Sequence, residues 1–124
     1  MPPYLIDTNI LIHYLRGKTE AINFLENAEM PLYISSINVA ELYAGVREGD
    51  EKTLLKNFVA AFDIVFVNGE IAKRAGLFKR DYAKTHGVGL ADALIAASAE
   101  FVQATLVTQN VKHFPMLSRI IAPF

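Results

Sequence analysis

Acidic and polar side chains follow the apolar runs of this sequence, at positions where parallel α/β sheets carry their ligand sites. Asp7 comes directly after the first run, Glu41 follows the second, and Asp92 opens a helical segment. Thr108 and Asn110 end a later run. Oxygen donors with no His or Cys among them suit Mg²⁺ or Mn²⁺. A partly hydrated cation of this kind activates water and neutralises phosphate charge, so these positions predict phosphodiester hydrolysis.

Each of these residues also has an ordinary structural explanation. Asp7 and Asn110 are suited to capping a helix or a turn. Asn38 with Glu41 fits a capping box, and Asp92 suits the positive end of a helix dipole. Three carboxylates at one sheet edge are harder to explain in this way. Bare carboxylates about 5 Å apart repel by roughly 3 kcal/mol per pair at an effective dielectric of about 20, and a divalent cation would remove that repulsion.

The elements that must position these residues alternate between strands and helices. Short runs rich in β-branched residues predict strands at 4–6, 32–35, 64–67 and 105–108, with a short edge strand at 119–121. Helices are predicted over 9–16, 20–27, 38–48 and 51–61. Two apolar stripes predict two more helices, one through Ile71, Ala75, Phe78 and Tyr82 and one through Leu90, Leu94, Ala97 and Phe101. This alternation predicts a three-layer α/β/α domain with a mostly parallel sheet.

Length and composition restrict the class of protein. The 124 residues are expected to form a single domain, 1–124, and the apolar fraction of 52% predicts a packed core. A net charge of −1 argues against a protein that coats nucleic acid through global positive charge. The absence of cysteine excludes disulfides, thiolate nucleophiles and Cys-ligated metals. No P-loop, secretory signal or membrane-length apolar run occurs, so we expect a cytoplasmic protein that does not hydrolyse nucleoside triphosphates.

Four segments of the chain resemble a known family. Residues 5–12 read Leu-Ile-Asp-Thr-Asn-Ile-Leu-Ile, and residues 90–97 read Leu-Ala-Asp-Ala-Leu-Ile-Ala-Ala. Together with residues 35–42 and 108–114, they resemble the PIN-domain ribonucleases, most closely the VapC-type toxins of bacterial and archaeal toxin–antitoxin pairs. The resemblance covers the whole chain in order and spacing. It implies cleavage of RNA by a water that Mg²⁺ or Mn²⁺ activates.

The resemblance also implies roles for individual residues. Asp7, Glu41 and Asp92 are similar to the family's acidic metal ligands, and Thr108 to the hydroxyl that the family places beside the site. Thr8 and Asn9, which follow Asp7 in the chain, are expected to support the site from outside the metal's ligand sphere.

Two positions depart from the family's pattern. Asn110 stands where relatives often carry an acid, and His113 stands where many have Asp before the Phe. The site would then carry about three negative charges instead of four, and we expect one firmly bound metal.

Basic and apolar faces suggest partners. Lys73, Arg80 and Lys84 share one helical face, which is either a solvated surface or, together with Arg16, a ridge that contacts RNA phosphates. The resemblance implies a VapB-type antitoxin held in an apolar groove, a toxin homodimer and a higher-order complex with the antitoxin. The sequence does not divide the apolar residues of the N-terminal helices and of segment 39–62 between core and interface.

Three other functions are considered beside the toxin-type endoribonuclease. The first is a PIN-domain nuclease of RNA processing that has no antitoxin. The second is a catalytically weak PIN domain that only binds partners, against which the three retained acids argue. The third is a phosphoacceptor receiver domain. Receivers usually pair two acids after the first strand and place a Lys near the last, whereas Asp7 stands alone and residues 105–110 contain no Lys.

Overall fold

Five short strands form one sheet within residues 2–124, the part of the chain that this computed structural model describes. They are β1 (Tyr4–Ile6), β2 (Leu32–Ser35), β3 (Asp63–Val65), β4 (Thr105–Val107) and β5 (Ile120–Ile121). The strand order is β3-β2-β1-β4-β5, and every neighbouring pair is parallel. The predicted sheet is confirmed, including its fifth strand.

Helices cover both faces of this sheet. They are α1 (Thr8–Leu15), α2 (Thr19–Glu26), α3 (Ser36–Ala44), α4 (Asp50–Val59), α5 (Gly69–His86) and α6 (Leu90–Phe101), followed by a short 3₁₀ turn at Val111–His113. Successive strand residues point to opposite faces. Accordingly, Leu5 packs in a core with α5 and α6, and Ile6 packs in a second core with α1 to α4. These two cores confirm the three-layer α/β/α architecture.

Most predicted boundaries are wrong by one or two residues, and the largest difference is in α3, which ends at Ala44 instead of residue 48. The third strand ends at Val65, and Phe66, which was expected in the sheet, is 71% exposed. Helix α3 begins at Ser36 because Ser35 caps it, with Asn38 as the reciprocal partner in a capping box. Asn38 therefore does not form a capping box with Glu41, and that explanation of Glu41 is wrong.

The two predicted apolar stripes have different outcomes. In α5 the stripe is confirmed, because Ile71, Ala75 and Phe78 are buried. In α6 the stripe is wrong at its ends, since Leu90 and Phe101 are half exposed. Helix α6 packs against α5, α3 and β4 together, and its wide buried face consists mostly of small residues: Ala93, Ile95, Ala96, Ala97, Ser98 and Ala99.

The apolar residues near α1 and α4 divide between core and surface. Ile10, Leu11 and Leu42 are buried, whereas Leu15 and Leu54 are exposed, Leu54 to 66%. No helix within residues 2–124 is both long enough and apolar enough to span a bilayer.

The strand order brings the predicted site residues to one edge. Asp7 and Thr108 directly follow β1 and β4, and Ser35 is the last residue of the adjacent β2, which leads into the helix that carries Glu41. The backbone N–H of Asp7 donates to the carbonyl of Val107, 2.9 Å away, which fixes the end of β1 against β4.

Candidate active site

Asp7 is the buried acid of this edge. Its backbone is extended and caps α1, and its side chain is only 6% exposed. Oδ1 accepts from the N–H of Thr8 at 2.8 Å, and Oδ2 accepts from the hydroxyl of Thr108 at 2.7 Å. Burial raises the pKa of Asp7, the two hydrogen bonds oppose that rise, and the charges of Asp92 and Glu41 add to it. Within residues 2–124, no Lys, Arg or His pairs with the Asp7 carboxylate.

Thr108 connects Asp7 to the loop after β4. Its hydroxyl donates to Asp7 and accepts from the N–H of Asn110 at 3.0 Å and from Nδ2 of Asn9 at 3.4 Å. The N–H of Gln109 donates to Oδ1 of Asn9 at 3.4 Å. The fully buried Thr108 hydroxyl therefore uses its one hydrogen on Asp7 and is held in place by two donors.

Glu41 reaches the site through Thr8. It lies on α3 and is exposed, and its Oε1 accepts from the Thr8 hydroxyl at 2.7 Å. Thr8 also accepts from Nδ2 of Asn38 at 2.9 Å. The single residue Thr8 therefore contacts two acids, Asp7 through its backbone N–H and Glu41 through its hydroxyl.

Asp92 has a histidine as its neighbour. Nδ1 of His113 lies 3.4 Å from Oδ2 of Asp92. Burial raises the pKa of Asp92, and His113 opposes that rise. The expectation of a cluster without histidine is wrong here, because the turn Val111–His113 brings the ring back to α6. The sequence signal for His113 was its place in the family's pattern, where many relatives carry Asp before the Phe.

The carboxylate oxygens of Asp7, Glu41 and Asp92 are of the type that binds hard divalent cations. The three carboxylates do not, however, converge on one point. Asp92 and Glu41 are near enough to Asp7 for their charges to raise its pKa. Within the described range, no three His, Cys, Asp or Glu side chains converge as a metal-binding group. Oxygen donors around a buried carboxylate with a raised pKa are suited to Mg²⁺ or Mn²⁺, which keep several waters and need few protein ligands.

The remaining predicted site and RNA-contact residues are exposed. Asn110 is exposed and precedes the 3₁₀ turn, but its side chain makes no capping bond, so the capping explanation is wrong. Lys73, Arg80 and Lys84 are exposed on α5, and Arg80 pairs with Asp81 at 2.8 Å.

A groove of about 460 Å³ runs beside the site between α1, α3 and α4. Glu41 lines it at one side, with the apolar side chains of Leu15 and Leu54 and the cationic side chains of Arg16 and Arg47. Arg16, which ends α1, thus lines this groove.

Comparison with known proteins gives consistent matches over almost the whole chain. The sequence model of the PIN domain family matches residues 4–116. Two relatives from Mycobacterium tuberculosis, Ribonuclease VapC10 and Ribonuclease VapC19, are each 38% identical; the matches cover 97% of this chain and 92% and 98% of the relatives. A solved toxin–antitoxin complex from Klebsiella pneumoniae superposes with a TM-score of 0.85 at 28% identity, over 98% of both chains.

Proposed function

The chain belongs to the PIN-domain family and, within it, to the VapC ribonucleases, and from this premise we propose that it hydrolyses RNA phosphodiesters with the help of Mg²⁺ or Mn²⁺. The observation that carries the proposal is the buried carboxylate of Asp7. Its charge is disfavoured by burial and by two neighbouring acids, so a divalent cation is the partner that it lacks.

Asp7, Glu41 and Asp92 are the residues proposed to hold the cation. When bound, the cation supplies an acidified water and neutralises charge on the phosphate. Thr108 directs its hydrogen to Asp7 and so keeps one carboxylate oxygen in place. Thr8 and Asn9 support the site from outside, Thr8 by contacting Asp7 and Glu41, and Asn9 by contacting Thr108.

Asn110 is proposed to contribute an amide oxygen without charge. The backbone N–H of Asn110 donates to the Thr108 hydroxyl, and that hydroxyl donates to Asp7. Asn110 is therefore one hydrogen-bonded residue away from the buried acid. An amide at this position leaves the site with one negative charge fewer than an acid would, which favours a single firmly bound metal.

RNA is proposed to contact the exposed cations of α5 and of the groove. Lys73, Arg80 and Lys84 give α5 a positive face, and Arg16 lies in the groove that Glu41 also lines. Such contacts would hold the phosphate backbone without selecting a sequence.

We further propose that the protein is the toxin of a type II toxin–antitoxin pair in the cytoplasm, held by a VapB-type antitoxin. The homologous structure from Klebsiella pneumoniae is a toxin–antitoxin complex. The groove with Leu15 and Leu54 is the surface proposed for the antitoxin, because it presents exposed apolar side chains next to Glu41. A homodimer and a larger assembly with the antitoxin belong to the same proposal.

Induced expression in cells tests this function. The unsubstituted protein should arrest growth and degrade RNA, and Asp7→Asn or Asp92→Asn should abolish both effects. Asp81→Asn is the matched control and should remain toxic, because Asp81 is an exposed acid on α5 that pairs with Arg80 and is not among the acids that raise the pKa of Asp7.

Co-expression of the neighbouring small reading frame should relieve the arrest. Growth arrest that this frame does not relieve would contradict the toxin assignment and would favour an antitoxin-free processing nuclease.

A further inference from the structure

Asn38 is a buried amide whose orientation the surrounding chain determines. It is fully buried at the start of α3. Its Oδ1 accepts from the backbone N–H of Ser35 at 2.7 Å and from the Ser35 hydroxyl at 2.9 Å. A backbone N–H can only donate, so the carbonyl end of Asn38 must face Ser35. The NH₂ end must then face the other way, toward Thr8.

The direction of this amide sets the direction of the Thr8 hydroxyl. Nδ2 of Asn38 can only donate, and it lies 2.9 Å from Oγ1 of Thr8. Thr8 must accept that hydrogen bond, which leaves its own hydrogen for Oε1 of Glu41 at 2.7 Å. The result is a short hydrogen bond to a carboxylate, the stronger class of hydrogen bond.

Glu41 borders both the site and the neighbouring groove, and this hydrogen bond directs it to the site. Its side chain is exposed and also lines the groove that contains Arg16 and Arg47. Arg47 pairs with Glu51 at 3.7 Å, so Arg16 is the groove cation that would compete with the site for an unrestrained Glu41 carboxylate. The Thr8 hydroxyl supplies the restraint from the same residue whose N–H bonds to Asp7.

We propose that Asn38 is a positioning residue, which directs the Thr8 hydroxyl to Glu41 and so keeps Glu41 beside Asp7 for cation binding. The inference rests on the proposed function, since it assumes that Glu41 contributes to the cation site. Asn38 itself touches neither cation nor RNA in this role. It acts only through Thr8, and this makes the role separable from the part that Asn38 plays in capping α3.

The test is a double-substitution cycle with Asn38→Asp and Thr8→Val. The carboxylate introduced by Asn38→Asp still accepts from Ser35, so the cap of α3 is retained. The second carboxylate oxygen of the new aspartate replaces the amide NH₂ and can only accept a hydrogen bond. The Thr8 hydroxyl therefore donates to this oxygen, and its hydrogen bond to Glu41 is lost. Mn²⁺ affinity is measured without RNA by calorimetry and by the electron paramagnetic resonance signal of free Mn²⁺.

With Thr8 present, Asn38→Asp should weaken Mn²⁺ binding by about 10- to 100-fold, the range typical of outer-shell partners. In the Thr8→Val background no hydroxyl remains to be redirected, and the introduced charge attracts the cation. The same substitution should there leave Mn²⁺ binding unchanged or tighten it. Thr8→Ser keeps the hydroxyl and should retain affinity within about threefold of the unsubstituted protein. RNA affinity in EDTA and the unfolding curve monitor the fold in every variant.

Equal weakening of Mn²⁺ binding by Asn38→Asp in both backgrounds would overturn the inference, because Asn38 would then act without Thr8. No weakening with Thr8 present would overturn it as well. Both results leave the proposed function intact if the unsubstituted protein binds Mn²⁺ and cleaves RNA. Failure of the unsubstituted protein to bind Mn²⁺ at all would instead overturn the proposed function and, with it, this inference.

Discussion

The carboxyl edge of the sheet and the outer face of α5 both carry polar side chains, but the fold treats them in opposite ways. At the sheet edge, Asp7, Asn38 and Thr108 are buried and bonded to side chains that come from different elements. On α5, Lys73 and Arg80 are exposed, and Arg80 pairs with the adjacent Asp81.

This difference in burial and bonding separates side chains whose positions the fold determines from side chains that it leaves free to move. A buried polar group destabilises the fold unless its neighbours satisfy it, and throughout residues 2–124 each buried side-chain nitrogen or oxygen has a partner. The positions of the edge residues are therefore mutually determined. An exposed ion pair contributes little to stability and fixes little geometry. We expect substitutions at the edge to have large, specific effects, and substitutions on α5 to have small, salt-dependent ones.

Asp7→Asn is the substitution with the largest expected effect. Loss of a carboxylate that is proposed to hold the cation should reduce RNA cleavage by more than the about 10- to 100-fold that outer-shell partners cost. Melting in EDTA should show no loss of stability, because the substitution removes a buried charge that burial and two acids disfavour. Cleavage of a labelled RNA with Mn²⁺ measures the first effect. Asp81→Asn on α5 is the control and should cleave normally; equal losses in both variants would erase the contrast between the two regions.

The stability of the metal-free protein should depend on pH through the same buried acid. The folded-state pKa of Asp7 is raised above its ordinary value of 3.8, so the folded state binds more protons than the unfolded state in the window just above that value. The contribution of Asp7 to stability should therefore decrease as the pH rises through this window and stay low above it. Burial raises the pKa of Asp92 in the same direction.

Denaturant unfolding in EDTA at several pH values measures this effect. The stability of Asp7→Asn relative to the unsubstituted protein should increase with pH across the window. Addition of Mn²⁺ should reduce that difference, because a cation favours the carboxylate. A difference that does not change with pH would mean that Asp7 is not held as a disfavoured charge.

Asn110→Asp should have an intermediate effect at the rim of the site. An added charge near a partly solvated cation contributes on the order of 1 kcal/mol, or about fivefold in affinity. The Mn²⁺ concentration for half-maximal cleavage should fall, and the melting temperature in EDTA should fall with it, because the new charge repels Asp7. If neither quantity changes, the Asn110 side chain lies outside the influence of the cation, and only its backbone contact with Thr108 supports the site.

Charge reversal on α5 should have the smallest effect. Lys73→Glu combined with Arg80→Glu should weaken RNA binding and flatten its salt dependence, by about 0.7 in the log–log slope for each single-strand phosphate contact that is lost. Binding titrations at several salt concentrations with metal-free protein measure the slope. The matched control reverses two exposed lysines of α4, Lys52→Glu with Lys56→Glu. An unchanged slope in the α5 variant would identify that face as ordinary solvated surface.

The sequence was sufficient to predict an element when one face of that element packs against one neighbouring layer, because its apolar residues then recur with a simple period. The runs at Tyr4–Ile6 and Leu32–Ser35 and the stripe of α5 are examples. It was insufficient for α6, which packs on several elements at once. There the buried face consists mostly of alanines, and the large side chains of Leu90 and Phe101 lie at the surface.

Candidate site residues were predictable where they directly follow a strand, as Asp7 and Thr108 do. The contact of His113 with Asp92 depends on a 3₁₀ turn, which carries no periodic signal in three residues. The relay from Asn38 through Thr8 to Glu41 depends on hydrogen-bond directions between two helices. Neither contact can be predicted from the spacing of residue types along the sequence.

Cleavage of RNA by protein stripped of metal is the most direct test of the central claim, that the acids at the sheet edge hold a catalytic divalent cation. The protein is dialysed against EDTA and assayed on labelled RNA before and after Mg²⁺ or Mn²⁺ is added back, with Asp92→Asn and Asp81→Asn in parallel. We predict no cleavage in EDTA, full recovery with either cation in the unsubstituted protein and in Asp81→Asn, and no recovery in Asp92→Asn. Full cleavage in EDTA would contradict the account.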